Sequence, residues 1–189
     1  MSATFLQPCL PDLPVRNLVF TALYAAILIT DQQVFSTIDG IELVTPLFLG
    51  FCYVFGTDGY FLAVVFALLR CLVFGFSPAV ILLYLLYYPA FCWNIIFVKR
   101  HLKQLKGLRL DLVLSLLAFA DTILFTLLDD LITPLIHGFS KAVWLAYFMA
   151  SLPVAISQSV LAFLSTGILI LPLLSVLQRA AGSRKKEKL

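Results

Sequence analysis

Between Ile41 and Val98 the chain runs for 58 residues with three charged side chains, Glu42, Asp58 and Arg70. A water-soluble domain cannot hide such a run, because a soluble core is bounded on every side by polar faces. A bilayer can. A helix crosses the hydrocarbon layer with about 20 apolar residues, so the run holds about three crossings. Gly56-Thr57-Asp58-Gly59 and Gly75-Phe76-Ser77-Pro78 divide it. Glycine beside polar residues, and proline at a first helical turn, are the expected punctuation.

The rest of the chain has the same character. Of its 189 residues 62% are hydrophobic and 12% charged, where soluble proteins carry about 25% charged. An all-α integral membrane protein follows, with nowhere to seat a separate catalytic or nucleotide-binding domain. Of 13 Lys and Arg, five lie between Lys99 and Arg109 and five between Arg179 and Lys188. Basic residues in short loops collect on the cytoplasmic side, which puts both clusters inside the cell. Because both adjoin spans they read as topology signals rather than as a nucleic-acid surface, and no nucleic-acid partner is expected. The four cysteines (Cys9, Cys52, Cys71 and Cys92) form no CxxC pair. Three lie in apolar spans, where cysteine acts as a small hydrophobe, so no disulfide and no metal is assigned.

In chain order, residues 1–14 hold three prolines and no Lys or Arg. They lack the basic start of a secretory signal and read as a cytoplasmic leader. Val15 to Thr30 is the first span, and Asp31 to Gly40 an outer loop. The second, Ile41 to Gly56, reaches about 24 Å against a core of about 30 Å, so it should sit packed among neighbours. Span three is Gly59 to Phe76, span four Pro78 to Val98, and the basic loop Lys99 to Arg109 follows. Span five is Leu110 to Ile136, with an outer turn at His137-Gly138-Phe139-Ser140. Lys141 to Gln178 would be about 57 Å long as one helix, so Pro153 is the expected break. Before it lie Lys141, Trp144, Tyr147 and Phe148, rich in interface-seeking aromatics; after it Val154 to Gln178 crosses back. The result is a six-transmembrane-helix bundle over 15–178, both termini cytoplasmic, with a basic tail at 179–189. Five spans would leave one basic cluster outside.

Charges inside such spans are site candidates. Glu42 lies at the outer end of span two, either as a carboxylate at a helix N-terminus or as a ligand contact. Arg70 lies near the middle of span three, where an unpaired arginine costs at least ~2.5–3.5 kcal/mol. Asp121 lies at nearly its depth in span five, and Asp129 only ~80° around the helix from Asp121, whereas Asp130 is ~180° away. Arg70 is therefore either half of a buried pair with Asp121 or part of a ligand cavity, which Asp129 can share. Tyr84, Tyr87 and Tyr88 are either core or the lining of a pocket for a large, partly aromatic ligand. Gln158 in span six needs a polar partner in lipid, a need Ser157 and Ser159 share. With Trp144 and Tyr147, the candidate substrate-binding residues are Glu42, Arg70, Tyr84, Tyr88, Asp129, Trp144, Tyr147 and Gln158. Ala22 and Ala26 form a small-xxx-small pair with Ala25 adjacent, a surface that lets another helix approach closely. Enzyme motifs are missing: the sequence has no HExxH, GxSxG or Walker A lysine motif, and His101 and His137 fall on opposite sides of the membrane. No catalytic residue and no cofactor of its own are assigned.

Six spans in about 190 residues, AxxxA in the first helix and a basic loop after the fourth resemble the substrate-binding S component of an energy-coupling factor (ECF) transporter. Ile41-Glu42-Leu43-Val44, Val54-Phe55-Gly56 and Val73-Phe74-Gly75-Phe76 resemble a subgroup's IELV, VFG and YGFG. Ala150-Ser151-Leu152-Pro153 through Leu171-Pro172-Leu173 resembles its last helix. The departures are at Arg70, where that subgroup often has glutamate, and at Ser157-Gln158-Ser159, where it often has histidine and asparagine. They imply a different ligand, and cobalamin-specific S components are the nearest resemblance, with another vitamin or a precursor such as pyridoxine as the alternative. The resemblance implies a subunit of the bacterial cell membrane that captures its vitamin from outside. It would dock through helix one (Ala22, Ala25 and Ala26) on a transmembrane coupling protein (EcfT) driven by two ATPases (EcfA and EcfA′), and topple to release its ligand inside. One rival reading, a self-sufficient secondary transporter or channel, calls for an inverted repeat or a continuous polar pathway. Residues 15–98 and 110–178 show no convincing repeat. A second, a non-transport scaffold or assembly factor, has no positive feature in the sequence.

Overall fold

The computed structural model describes residues 15–35, 43–102, 105 and 107–186. They form six helices: α1 (Val15–Phe35), α2 (Val44–Phe55), α3 (Asp58–Phe74), α4 (Pro78–His101), α5 (Leu108–His137) and α6 (Lys141–Lys186). Four of these, α1, α4, α5 and α6, are long and apolar enough to cross a membrane. The leader 1–14, the segment 36–42 that includes Glu42, and the end of the tail at 187–189 lie outside the described residues.

α2 is the hub. Its 12 residues span about 18 Å, too short for a crossing, yet it touches all five other helices, which follow one another around it in the order α1, α3, α4, α5, α6. Eight of those 12 residues are buried. Gly50 lets the side chain of Leu173 on α6 lie where a β-carbon would stand, at 2.6 Å. Phe48 and Phe51 are fully enclosed, and Phe48 meets Tyr88 edge-on at 4.8 Å and stacks on Phe91 at 5.6 Å. The helix is thus held by its neighbours, as its shortness requires.

Helix boundaries follow local chemistry. Pro78 opens α4 after an extended Ser77, because proline has no N–H to lose in a first turn. Gly138 ends α5 in the left-handed conformation and its N–H bonds the Pro134 carbonyl, a backbone shape that a side chain disfavours.

Two boundaries differ from the sequence expectation. α1 continues through Asp31-Gln32-Gln33 to Phe35 instead of ending at Thr30, since none of the three is a helix breaker. α6 is one continuous helix of 46 residues with Pro153 and Pro172 inside it, about 69 Å long. Proline interrupts one backbone bond, and membrane helices tolerate this where hydroxyls and neighbouring helices compensate. Pro153 leaves the Met149 carbonyl without its backbone donor, and Ser157 Oγ donates to the Pro153 carbonyl at 2.8 Å one turn further on. α5 lies along α6 and braces it on both sides of Pro153.

Candidate functional site

The candidate residues gather at the end of the bundle opposite the basic loop. There α1 and α3 finish, α4 begins, α5 finishes and α6 begins. Gln32 Nε2 of α1 donates to the Tyr84 hydroxyl of α4 at 2.6 Å. Tyr84 lies 5.7 Å from the Phe66 ring of α3 and 6.0 Å, edge-on, from Phe125 of α5. Tyr88 packs at 5.0 Å against Phe66 and 5.1 Å against Tyr84. One aromatic cluster therefore joins α2, α3, α4 and α5, and both tyrosines are almost fully enclosed in it.

Above this floor, polar atoms are buried without partners. Among the described residues, Asp31 Oδ2 and Gln32 Oε1 on α1, and Arg70 Nε on α3, have no hydrogen-bond partner. Asp31 and Arg70 each lie four residues before the end of their helices, which pack against each other. The Arg70 guanidinium sits over the Phe74 ring with Cζ 3.9 Å from its centroid, a cation–π contact. Two acceptors and one donor left open in the last turns of α1 and α3 can bind a ligand that offers both kinds of group. An unsatisfied buried polar atom costs about 1–3 kcal/mol, so each such atom calls for an explanation. Asp31 and Gln32 went unrecognised in the sequence because they read as loop; only the continuation of α1 turns them inward.

The Arg70–Asp121 pair does not form. Asp121 is buried against Asn94 of α4, whose Nδ2 donates to Oδ1 at 2.7 Å, and its Oδ2 has no partner. The reason is lateral: α4 stands between α3 and α5, which do not touch. Matching depth along two helices does not bring them together. Asn94 was missed, although a lone amide in a span is the signal that marks it.

Asp129, Trp144 and Tyr147 do come together, with one another. Tyr147 Oη and Thr133 Oγ1 each donate to the Asp129 carboxylate at 2.7 Å. Trp144 Nε1 donates to the Asp130 carbonyl at 2.8 Å, and Ser151 Oγ to Asp130 Oδ2 at 2.6 Å. Both aspartates therefore turn towards α6, against the expectation that Asp129 shares a face with Arg70 and that Asp130 stands apart. This network ties the first turns of α6 to the last turns of α5. Gln158 is exposed on α6, off the buried stripe of Ser159, Ala162, Thr166 and Ile170. Ser157 is exposed beside it and Ser159 bonds its own helix, donating to the Ala155 carbonyl at 2.7 Å. Glu42 lies outside the described residues.

Comparison with protein-family models, with curated proteins and with solved structures gives no match.

On α1, Ala22 and Ala26 are exposed in line with Leu18, Leu23 and Ile27, while Ala25 is fully enclosed on the opposite face with Thr21, Tyr24 and Leu28. The helix thus offers a shallow outward strip, from which Ala25 is absent.

Proposed function

We propose that this chain is the substrate-binding S component of an ECF-type vitamin importer in the bacterial cell membrane, a non-catalytic subunit. The observation that carries the proposal is the set of open polar atoms on Asp31, Gln32 and Arg70, in the last turns of the paired helices α1 and α3, with Gln32 bonded to Tyr84. In this reading six membrane-embedded helices, with both termini cytoplasmic, place those turns outside, where a vitamin arrives. Ala22 and Ala26 on the outward strip of α1 meet the coupling protein, and partner ATPases supply the energy. The proposed vitamin is cobalamin, on the strength of the sequence resemblance. Its amide side chains offer both donors and acceptors, which suits a site of two open acceptors and one open donor.

Asp121 favours a second reading. A buried carboxyl within a membrane span, with a single hydrogen bond, is a common element of ion- or proton-coupled secondary transporters.

Purified protein titrated with cobalamin and followed by visible absorption tests the first reading. Saturable binding that weakens at least tenfold in Arg70→Ala or Gln32→Ala supports it. Binding of no vitamin, together with uptake by the chain alone driven by an ion gradient, favours the second.

A further inference from the structure

At the opposite end of the bundle a cleft of about 140 Å³ opens between the start of α3 and the end of α4, lined by Thr57, Tyr60, Trp93, Phe97, Arg100 and His101. Its wall is a ladder one turn apart on α4: Trp93 stacks on Phe97 at 5.6 Å, and the His101 ring lies 4.0 Å from Phe97. His101 is held there by its Nδ1 contact to the Phe97 carbonyl at 2.9 Å. Above the ladder the exposed face of α4 continues apolar through Leu82, Leu86 and Ala90. At the ladder's foot stands Arg100.

The two basic side chains here differ in their engagement. Lys99 is turned inwards, donating to the Tyr53 carbonyl with Nζ 5.2 Å from the Tyr53 ring. Arg100 is exposed and, among the described residues, pairs with no carboxylate. It lines the cleft together with Tyr60. Thr57 is exposed, lines the cleft and caps no amide with its side chain.

The geometry points to a binding site for one anionic phospholipid: the phosphodiester at Arg100, Tyr60 and Thr57, and an acyl chain along Phe97, Trp93 and the apolar face of α4. Charge and shape argue together. A guanidinium and two hydroxyl-bearing side chains lining one cleft match phosphate oxygens. Stacked aromatics at the level of the headgroups, above an apolar strip, match the chain that follows. Basic pockets between membrane helices take anionic headgroups for this reason. The site is separate from the proposed vitamin site and stands or falls independently of it.

The test uses Trp93 as the reporter. Trp144→Phe leaves Trp93 as the sole tryptophan of the two in the chain. The protein is placed in nanodiscs containing a small fraction of acyl-brominated phosphatidylglycerol or phosphatidylcholine, and quenching of Trp93 fluorescence is measured. Half-quenching should need about fivefold less phosphatidylglycerol, the preference that one cation at a membrane surface supplies. Arg100→Gln should erase the preference, and Arg100→Lys and Arg109→Gln should keep most of it. Equal quenching by both lipids overturns the site. Equal loss in Arg109→Gln overturns it too, by assigning the effect to diffuse basic charge. Relief of quenching by millimolar inorganic phosphate would assign the cleft to a soluble anion and overturn the lipid. If Trp144→Phe fails to fold, native mass spectrometry of the unaltered chain from mixed-lipid membranes decides: retained phosphatidylglycerol, lost in Arg100→Gln, is the result the site requires, and no retained phosphatidylglycerol contradicts it.

Discussion

Asn94 of α4 donates a 2.7 Å hydrogen bond to Asp121 of α5, in the position that depth alone assigns to Arg70. Asn94→Ala leaves both Asp121 oxygens without a partner, a loss of about 1–3 kcal/mol. A double-mutant cycle on Asn94 and Asp121 should give a coupling of about 0.5–3 kcal/mol, whereas Arg70 and Asp121 should add without coupling. Thermal or denaturant unfolding of the single and double variants measures both; coupling between Arg70 and Asp121 would count against this packing.

Gly59 is the second test of packing. A β-carbon there would stand 2.5 Å from Cys52 Sγ and 2.7 Å from Cys92 Sγ. Glycine to alanine within a helix ordinarily stabilises by about 0.4–1 kcal/mol. Here Gly59→Ala should instead destabilise by about 1–3 kcal/mol, the usual cost of overpacking. Adding Cys92→Ala, which removes one of the two sulfurs, should recover part of the loss. A Gly59→Ala protein of unchanged or raised melting temperature would show that the α2–α3–α4 junction is looser than described.

The sequence makes the helices legible, and their neighbours much less so. Long apolar runs bounded by Gly56, Gly75, the basic loop with Gly107, and Gly138 mark α3, α4 and α5 closely, because each glycine sits at a backbone turn. The shortness of α2 foretells its burial, because a helix too short to span must be covered by protein. Pro153 misleads because its cost is local and the bracing by α5 is tertiary. Arg70 misleads for the same reason: periodicity gives depth and direction along one helix, but which helix stands beside it is fixed only by the whole bundle. Asp31 and Gln32 lie where three polar residues in a row read as loop, and there the polar site was hidden.

Tyr147 reports on the α5–α6 network. Tyr147→Phe removes one of the two donors to Asp129. A hydrogen bond to a charged group contributes about 1.5–3 kcal/mol, so a loss of that order is the expected outcome on unfolding. Thr133→Ala should cost a similar amount. Vitamin affinity should change little in either, because both side chains bond Asp129 at the α5–α6 seam and not the open atoms of Asp31, Gln32 and Arg70. A variant with unchanged stability and lost binding would move the ligand site to Asp129.

The proposed function and the packing make different demands on the two faces of α1. Ala25→Leu places a large side chain at a fully enclosed position and should destabilise by about 1–3 kcal/mol. Ala22→Leu and Ala26→Leu lie on the exposed strip and should leave melting temperature and vitamin affinity unchanged while abolishing uptake, because close helix approach needs small residues. Loss of binding along with uptake would place those alanines inside the bundle.

Recovery of partners from native membranes bears most directly on the central claim. The tagged chain, isolated in mild detergent, should carry a membrane coupling protein and two Walker-motif ATPases, hydrolyse ATP through them, and lose all three in the Ala22→Leu/Ala26→Leu variant that still binds vitamin. Isolation without any ATPase, from membranes in which the chain alone sustains uptake, would contradict the account.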